Sequence, residues 1–409
     1  MGKHWIAWVI IGIMGLVISA NGAELLEEII LMGGMSSMPG ARASGLGGAY
    51  IAVADDYTAS YWNPAGLAQI RRIELYGALS QRNYRDRTTY FGNDTEASSN
   101  FTKLSSFGVV FPAPVYRGAL TFALGYNLVR DWDRTSSFND PDSLGSSTAI
   151  WKQADELENG RLGFWSLGLA MDVSPSVSVG GGLQYWIGRD DYSITGQRWG
   201  SSASSDEQDI FTTLHGWRGD MGVLIRAGSV GRLGMVIETP IVYNAKEDWA
   251  ATGYGSGSWV YRIGEPFTVR GGGSVSVGRF LAAMDVDWMD WSQIAYKSEP
   301  PFPGYSSTTA NIAIRRDFRS TLGVHGGIEA LLPLYGIRLR GGGGFEPNPE
   351  KGSKTENGQT SVSGGLGVLL DESIMLDLSY DTRWWKQQTS LLNEDITSQR
   401  LQLSIAYRF

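Results

Sequence analysis

Cysteine is absent from the 409 residues, and histidine nearly so, with three. Without thiols there is no disulfide, thiolate zinc site, iron–sulfur cluster or cysteine-borne lipid anchor. His4 falls in an apolar N-terminal stretch, which leaves His215 and His325, too few to build a histidine metal site. HExxH and GxSxG do not occur, and no GxxxxGK[ST] phosphate loop follows any glycine run. No catalytic residue, cofactor or metal is therefore expected, and the chain reads as a non-enzyme. With 34 basic against 42 acidic residues, a net charge of −8, nucleic acid is not an expected partner. Beyond the N-terminus no apolar run reaches 18 residues, so any membrane crossing must be made by strands.

What is present begins with an export signal. Lys3 precedes an apolar run from Trp5 to Ile18, followed by the small residues Ser19, Ala20, Gly22 and Ala23. Residues 1–23 are read as a signal peptide, cleaved after Gly22 or Ala23. From residue 72 onward the dominant period is two. Leu120, Phe122, Leu124, Tyr126 and Leu128 alternate with small or polar residues, as do Ile374, Leu376, Leu378 and Tyr380. Such alternation marks strands with one apolar and one polar face.

Fourteen such segments fit between 72 and 409, with long gaps at 84–103, 131–160, 192–207, 248–258, 297–311, 347–359 and 388–396. The intervening gaps are short, such as Ser174-Pro175-Ser176, Gly278-Arg279 and Asp371-Glu372. Long outer loops alternating with short periplasmic turns are the pattern of a transmembrane antiparallel β-barrel in an outer membrane. The C-terminal strand ends Leu401, Leu403, Ile405, Tyr407, Phe409 at spacing two. Tyr407 and Phe409 resemble the insertion signal read by the bacterial barrel assembly machinery, an expected partner during insertion. Trp132, Trp199, Trp249, Trp259 and Trp384 sit near strand ends, where interfacial girdle residues are expected.

The face opposite the apolar one carries Arg72, Glu74, Arg226, Glu238, Arg270, Asp285, Asp287, Glu329, Arg338, Arg340, Asp377, Asp381, Arg383 and Arg408. Charges inside a barrel need partners or water, so an internal salt-bridge network is one reading. Recognition of an anionic ligand group by some arginines is the other. Glycine runs at 180–182, 271–273 and 341–344 leave room for strand bending or for another segment to approach closely.

Residues 24–71 do not alternate. They are rich in small residues and punctuated by Pro39-Gly40 and Asn63-Pro64, a composition suited to a compact plug rather than an independent core. Arg42-Ala43-Ser44-Gly45-Leu46-Gly47-Gly48-Ala49, Ala54-Asp55-Asp56 and Trp62-Asn63-Pro64-Ala65-Gly66-Leu67 resemble the FadL/TodX family of outer-membrane transporters of long-chain fatty acids and hydrocarbons. The resemblance implies an N-terminal hatch at 24–71 carrying the motif Trp62, Asn63, Pro64, Ala65 and Gly66, and a barrel of about fourteen strands at 72–409. It also implies uptake of a hydrophobic small molecule, fatty acid or hydrocarbon. Release would follow hatch movement, sideways into outer-membrane lipid through a kinked third strand, with Gly125 as a candidate bend at the lateral gate. The same stretch is similar to PorV-type barrels of a protein-secretion apparatus, so a role in protein secretion or surface attachment stays open.

Overall fold

The structure, a computed structural model, describes residues 35–36, 38–90, 92–139, 151–198, 205–301, 305–333, 336–388 and 392–409. The signal segment 1–23, the start of the 24–71 region and Trp199 lie outside the described residues.

Fourteen antiparallel strands close into one barrel. They are β1 Glu74–Tyr90, β2 Asn93–Ala113, β3 Leu120–Asp131 continued by Arg134–Asn139, β4 Trp151–Ser174, β5 Val177–Arg198, β6 Asp206–Ala227, and β7 Gly231–Glu238 continued by Ile241–Ala251. There follow β8 Gly255–Glu265 continued by Thr268–Val277, β9 Phe280–Asp290 with Ala295–Tyr296 beyond it, β10 Ser320–Leu331, β11 Ile337–Glu346, β12 Gln359–Leu370, β13 Ile374–Gln388 and β14 Leu392–Arg408. The β14–β1 ladder runs without interruption from the Leu392–Tyr90 pair to Arg408–Glu74, and so removes the free sheet edge.

The alternation in the sequence is the alternation of this wall. Leu75 and Leu79, Phe122 and Leu124, Leu167 and Leu169, Val223 and Ile225, and Leu401, Leu403 and Ile405 all project outward and are exposed. Their partners in the pleat point into the lumen and are buried: Glu74, Thr121, Ser166, Gln402 and Ser404 among them. Tyr407 and Phe409 lie on the outer face with their rings 5.4 Å apart, and the Phe409 N–H donates to the Ile73 carbonyl at 3.0 Å.

Three expectations need correction. The long gaps at 84–103, 248–258 and 388–396 are largely strand: β4 alone has 24 residues, where a tilted bilayer crossing takes ~9–11. Beyond the apolar band the strands continue with polar residues on both faces, which erases the hydrophobic period while leaving the ladder intact. Cross-strand ion pairs, Arg85–Glu96 at 3.3 Å and Arg87–Asp94 at 2.8 Å, replace lipid contact there. Second, Trp132 and Trp249 are buried in the lumen, and Trp259 packs against the same luminal clusters. Of the expected girdle, Trp384 does face outward, together with Trp165 and Trp217. Third, Arg72 precedes β1 and is exposed rather than luminal, reaching the Glu372 carbonyl at 3.5 Å.

Prolines interrupt two neighbouring strands at one height. Ile241 pairs with Glu265 and Glu238 with Thr268, so Thr239-Pro240 on β7 faces Pro266-Phe267 on β8. A proline has no N–H for the ladder, and placing both breaks together confines the loss to one level of the wall.

Candidate functional site

Residues 38–71 form α1 Ala41–Gly45, α2 Ala59–Trp62 and a 3-10 turn Pro64–Gln69, and nearly all of them are buried. The Asn63-Pro64 motif sets this local structure. Asn63 is extended; its Oδ1 accepts from the Ala65 N–H at 3.1 Å, capping the 3-10 turn, while Pro64 at the first position has no N–H to satisfy. Its Nδ2 donates to the Ile51 carbonyl at 3.0 Å and to the Val223 carbonyl of β6 at 3.1 Å. Trp62 donates to the Pro39 carbonyl at 2.8 Å, tying the end of α2 to the start of the segment. At Gly66 a Cβ would run into the Ala54 carbonyl, so the motif glycine is required by close backbone approach.

The barrel wall meets this segment with glycines. A Cβ at Gly180 would overlap Pro64, one at Gly222 would overlap Asn63, one at Gly234 the Ile51 carbonyl, and one at Gly327 or Gly342 the Leu46 backbone. Five different strands thus leave out a side chain where the segment lies against them, four against its backbone and Gly222 of β6 against the Asn63 side chain. Close approach, rather than bending, is what the glycine runs provide at these positions.

Charged wall groups hold the segment as well. Arg42 reaches Asp55 at 2.5 Å and Glu329 of β10 at 3.0 Å, and Glu329 also accepts from Arg340 at 2.6 Å, which pairs with Asp377 at 2.5 Å. Asp285 accepts the N–H groups of Tyr50 and Ile51 at 2.5 and 2.7 Å, and Glu74 accepts that of Tyr57 at 2.6 Å. Ser44 donates to Asp381 at 2.9 Å, and His325 contacts the Gly47 carbonyl at 3.0 Å. His325 is also 3.3 Å from Asp287 and 3.8 Å from Glu346. The internal salt-bridge network expected of the polar face is therefore present, and much of it is spent on anchoring residues 38–71. Burial and the neighbouring Asp55 charge push the Asp56 carboxyl above its ordinary range, against the hydrogen bonds it accepts from Thr58 and Tyr50. Burial likewise pushes the Tyr57 hydroxyl up, so it stays neutral.

Past this segment the lumen has two characters. On β3 to β9 the inward residues form an apolar cluster that includes Trp132, Phe164, Trp186, Tyr243, Tyr261 and Tyr296, with Tyr61 of the N-terminal segment against it. The helix α3, Ser307–Asp317, covers it with Ala310 and Ile314, followed by Phe318. On β13, β14 and β1 the inward groups are polar, with Asp381 held by Arg400 at 2.7 Å and Arg383 at 3.5 Å. The arginines bordering the apolar cluster are engaged by carboxylates: Arg130 with Glu265 at 2.8 Å, Arg218 with Glu238 and Glu265 at 3.2 and 3.3 Å, and Arg270 with Glu238 at 2.5 Å. At the short-turn end a crevice of about 150 Å³ is lined by charge, including Arg42, Asp55, Arg338, Asp377 and Arg408.

The wall is irregular where β2 meets β3. These strands pair only from Ser106–Asn127 to Ala113–Leu120; residues 93–104 of β2 pair with β1 alone. Ser105 is bulged out of the β1–β2 register and Val129 out of the β3–β4 register, and β3 breaks at Trp132-Asp133. The edge this leaves on β3 is taken by Met35–Ser36, which pairs with Asp131 and Arg130. Gly125 itself sits in regular ladder, opposite Gly108 and Ser166. A Cβ at Gly108 would strike the Tyr57 ring, and one at Gly125 the Phe107 carbonyl and the Tyr57 hydroxyl, so both glycines make room for close packing across β2, β3 and the segment; the irregularity lies a few residues further along β3. Nothing in the local sequence of 128–133 announces this, because the bulge and break are set by contacts with β1, β2 and β4.

No family model and no curated protein sequence matches the chain. Solved structures do. A FadL homologue from Pseudomonas aeruginosa is 14% identical with a TM-score of 0.67, over 92% of this chain and all of that one. The toluene transporter TodX of Pseudomonas putida is 11% identical with a TM-score of 0.65, over 92% and 98%. The toluene transporter TbuX of Ralstonia pickettii is 13% identical with a TM-score of 0.59, over 90% and 98%. By its closed fourteen-strand wall and its likeness over nearly the whole of both chains, this protein has the FadL/TodX-type barrel fold.

Proposed function

We propose that the protein takes up a hydrophobic small molecule across the bacterial outer membrane. Residues 38–71 act as the hatch, and Trp62, Asn63, Pro64, Ala65 and Gly66 set its resting position. The observation that carries the reading is the apolar aromatic cluster on β3 to β9, which lies between the α3 cover and the hatch and runs up to the unladdered β2–β3 seam. An apolar cargo gains by replacing water with such surroundings and again by entering lipid directly.

Charge placement supports sideways rather than axial release. Below the hatch a cargo would meet the Arg42, Asp55, Arg338, Asp377 and Arg408 crevice, where leaving a carboxylate or guanidinium dry and unpaired is costly. At the seam it would meet Val129 and Trp132 inside and an outward group of Phe107, Tyr126 and Trp165, with ring centroids 5.2 to 5.9 Å apart. The engagement of Arg130, Arg218 and Arg270 by Glu238 and Glu265 favours a neutral cargo, a hydrocarbon, over a fatty-acid anion, which would have to displace a glutamate.

Uptake of a neutral fluorescent hydrophobe, N-phenyl-1-naphthylamine, by cells making the protein tests this reading. Uptake faster than in cells with an empty vector, and slowed in an Asn63→Ala, Pro64→Ala double variant that still inserts, is the expected result. Uptake equal to the empty vector would reject it.

A further inference from the structure

We propose that the seam between β2 and β3 is held shut by a side-chain clasp, Lys103 with Asp131 and Asp133, and that opening this clasp is the step that releases cargo. The inference rests on the uptake reading above and names what controls its exit.

Along most of the wall neighbouring strands are joined by backbone ladders, although among the described residues Gly255–Arg262 of β8 also lack a partner on β9. Above the Ser106–Asn127 pair β2 and β3 have none. Lys103 crosses that gap instead. Its ammonium lies 3.1 Å from the Asp131 carboxylate and 2.6 Å from that of Asp133, and it also donates to the Gly160 carbonyl of β4. One side chain thus joins three strands. Asp133 is further fixed by the Gly160 N–H at 3.0 Å, and Asp131 by the Asp133 N–H at 3.0 Å, which shapes the break in β3 into a turn facing Lys103. Arg82 of β1 supplies the second cation, 3.4 Å from Asp131. Two positive and two negative groups make the clasp neutral, and all are largely buried.

The position matters as much as the chemistry. Val129 and Trp132, flanking the clasp residues on β3, belong to the luminal apolar cluster. Phe107 and Tyr126, the ladder pair next to Ser106–Asn127 on the short-turn side, begin the outward aromatic group. Parting Lys103 from the two aspartates therefore opens the seam between an apolar interior and an apolar exterior without unzipping a β2–β3 ladder; Met35–Ser36, paired with β3 at Arg130 and Asp131, must move aside with it. Unzipping a ladder of comparable length would strand several backbone groups. Lys103 is a gating residue in this account, acting on the path and not on the cargo.

The test uses three substitutions and one cross-link in the full-length protein, with N-phenyl-1-naphthylamine uptake by cells as the readout and heat-dependent gel mobility to confirm folded barrel. Lys103→Met leaves Asp131 and Asp133 facing Arg82 alone, and uptake should rise above wild type. Lys103→Arg keeps the charge and should stay at the wild-type rate. Asp133→Asn keeps the shape of its side chain, removes one carboxylate and gives an independent reading, again with faster uptake. Because the chain has no cysteine of its own, a Lys103→Cys, Asp133→Cys variant can be bridged by a short bis-methanethiosulfonate without background. Bridging should stop uptake and a reductant should restore it. Undiminished uptake in the bridged form, or Lys103→Met at or below the wild-type rate, overturns the clasp while leaving the uptake reading standing. Wild-type uptake no faster than the empty vector overturns both.

Discussion

Replacing Asn63 with alanine should loosen the hatch while leaving the barrel wall intact. The side chain makes three hydrogen bonds: it caps the 3-10 turn at Ala65 and donates to the carbonyls of Ile51 and Val223. Losing an N-cap of this kind costs ~1 kcal/mol. Each of the two buried carbonyls left without its donor adds about 1 kcal/mol at the lower end of the usual range. The sum, about 3 kcal/mol, falls on the hatch, two of the bonds being internal to it and one tying it to β6, and raises its local opening by roughly 150-fold, since one decade is ~1.4 kcal/mol. The β14–β1 closure and the ladders of the wall do not involve Asn63, so the barrel should not share the loss. Hydrogen exchange by mass spectrometry on protein in detergent reads both at once. Amides of residues 41–69 should exchange on the order of a hundred times faster, while those of β12 to β14 keep their protection. Unchanged exchange across 41–69, or equal loss of protection in hatch and wall, would refute the reasoning that Asn63 stabilises the hatch independently of the wall.

Further outcomes follow from the geometry. Gly342→Ala should loosen the hatch in the same exchange measurement, because its Cβ falls on the Leu46–Gly47 backbone. Gly341→Ala, whose Cβ has no neighbour nearer than 3.9 Å, should leave it unchanged. Arg42→Met strips Asp55 of its side-chain ion pair and Glu329 of one of two, and should make the hatch susceptible to limited proteolysis. Trp186→Ala removes an aromatic from the middle of the luminal cluster, and should weaken retention of a hydrophobic ligand without altering gel mobility. Arg87→Ala breaks an exposed, solvent-screened pair with Asp94 and should leave thermal unfolding unchanged.

The barrel was legible wherever lipid dictates one face. Leu401, Leu403 and Ile405 face the bilayer, and their period survives in the sequence because no polar residue is tolerated there. The outer hairpins were not legible as strands, since Arg85, Arg87 and Glu96 stand in water on positions that would be leucine lower down. Tryptophans near strand ends carried no mark of direction: Trp384 faces out, whereas Trp132 and Trp249 fill the lumen. The Asn63-Pro64 element could be read because its cap is local. The pairing of Arg42 with Glu329, 287 positions away, could not, and neither could the approach of Lys103 to Asp131 and Asp133, which depends on where β3 bulges. Glycine runs announced close approach without saying to what. Within the 341–344 run, Gly342 meets the Leu46 backbone and Gly341 does not, a distinction set by the pleat.

The most direct test of the account is to identify what the folded protein holds. After gentle detergent extraction, native mass spectrometry of the intact barrel should show a neutral hydrophobic molecule bound, and Trp186→Ala should release it. A barrel that retains no such molecule and co-purifies instead with a polypeptide would contradict the uptake reading and point to secretion or surface attachment.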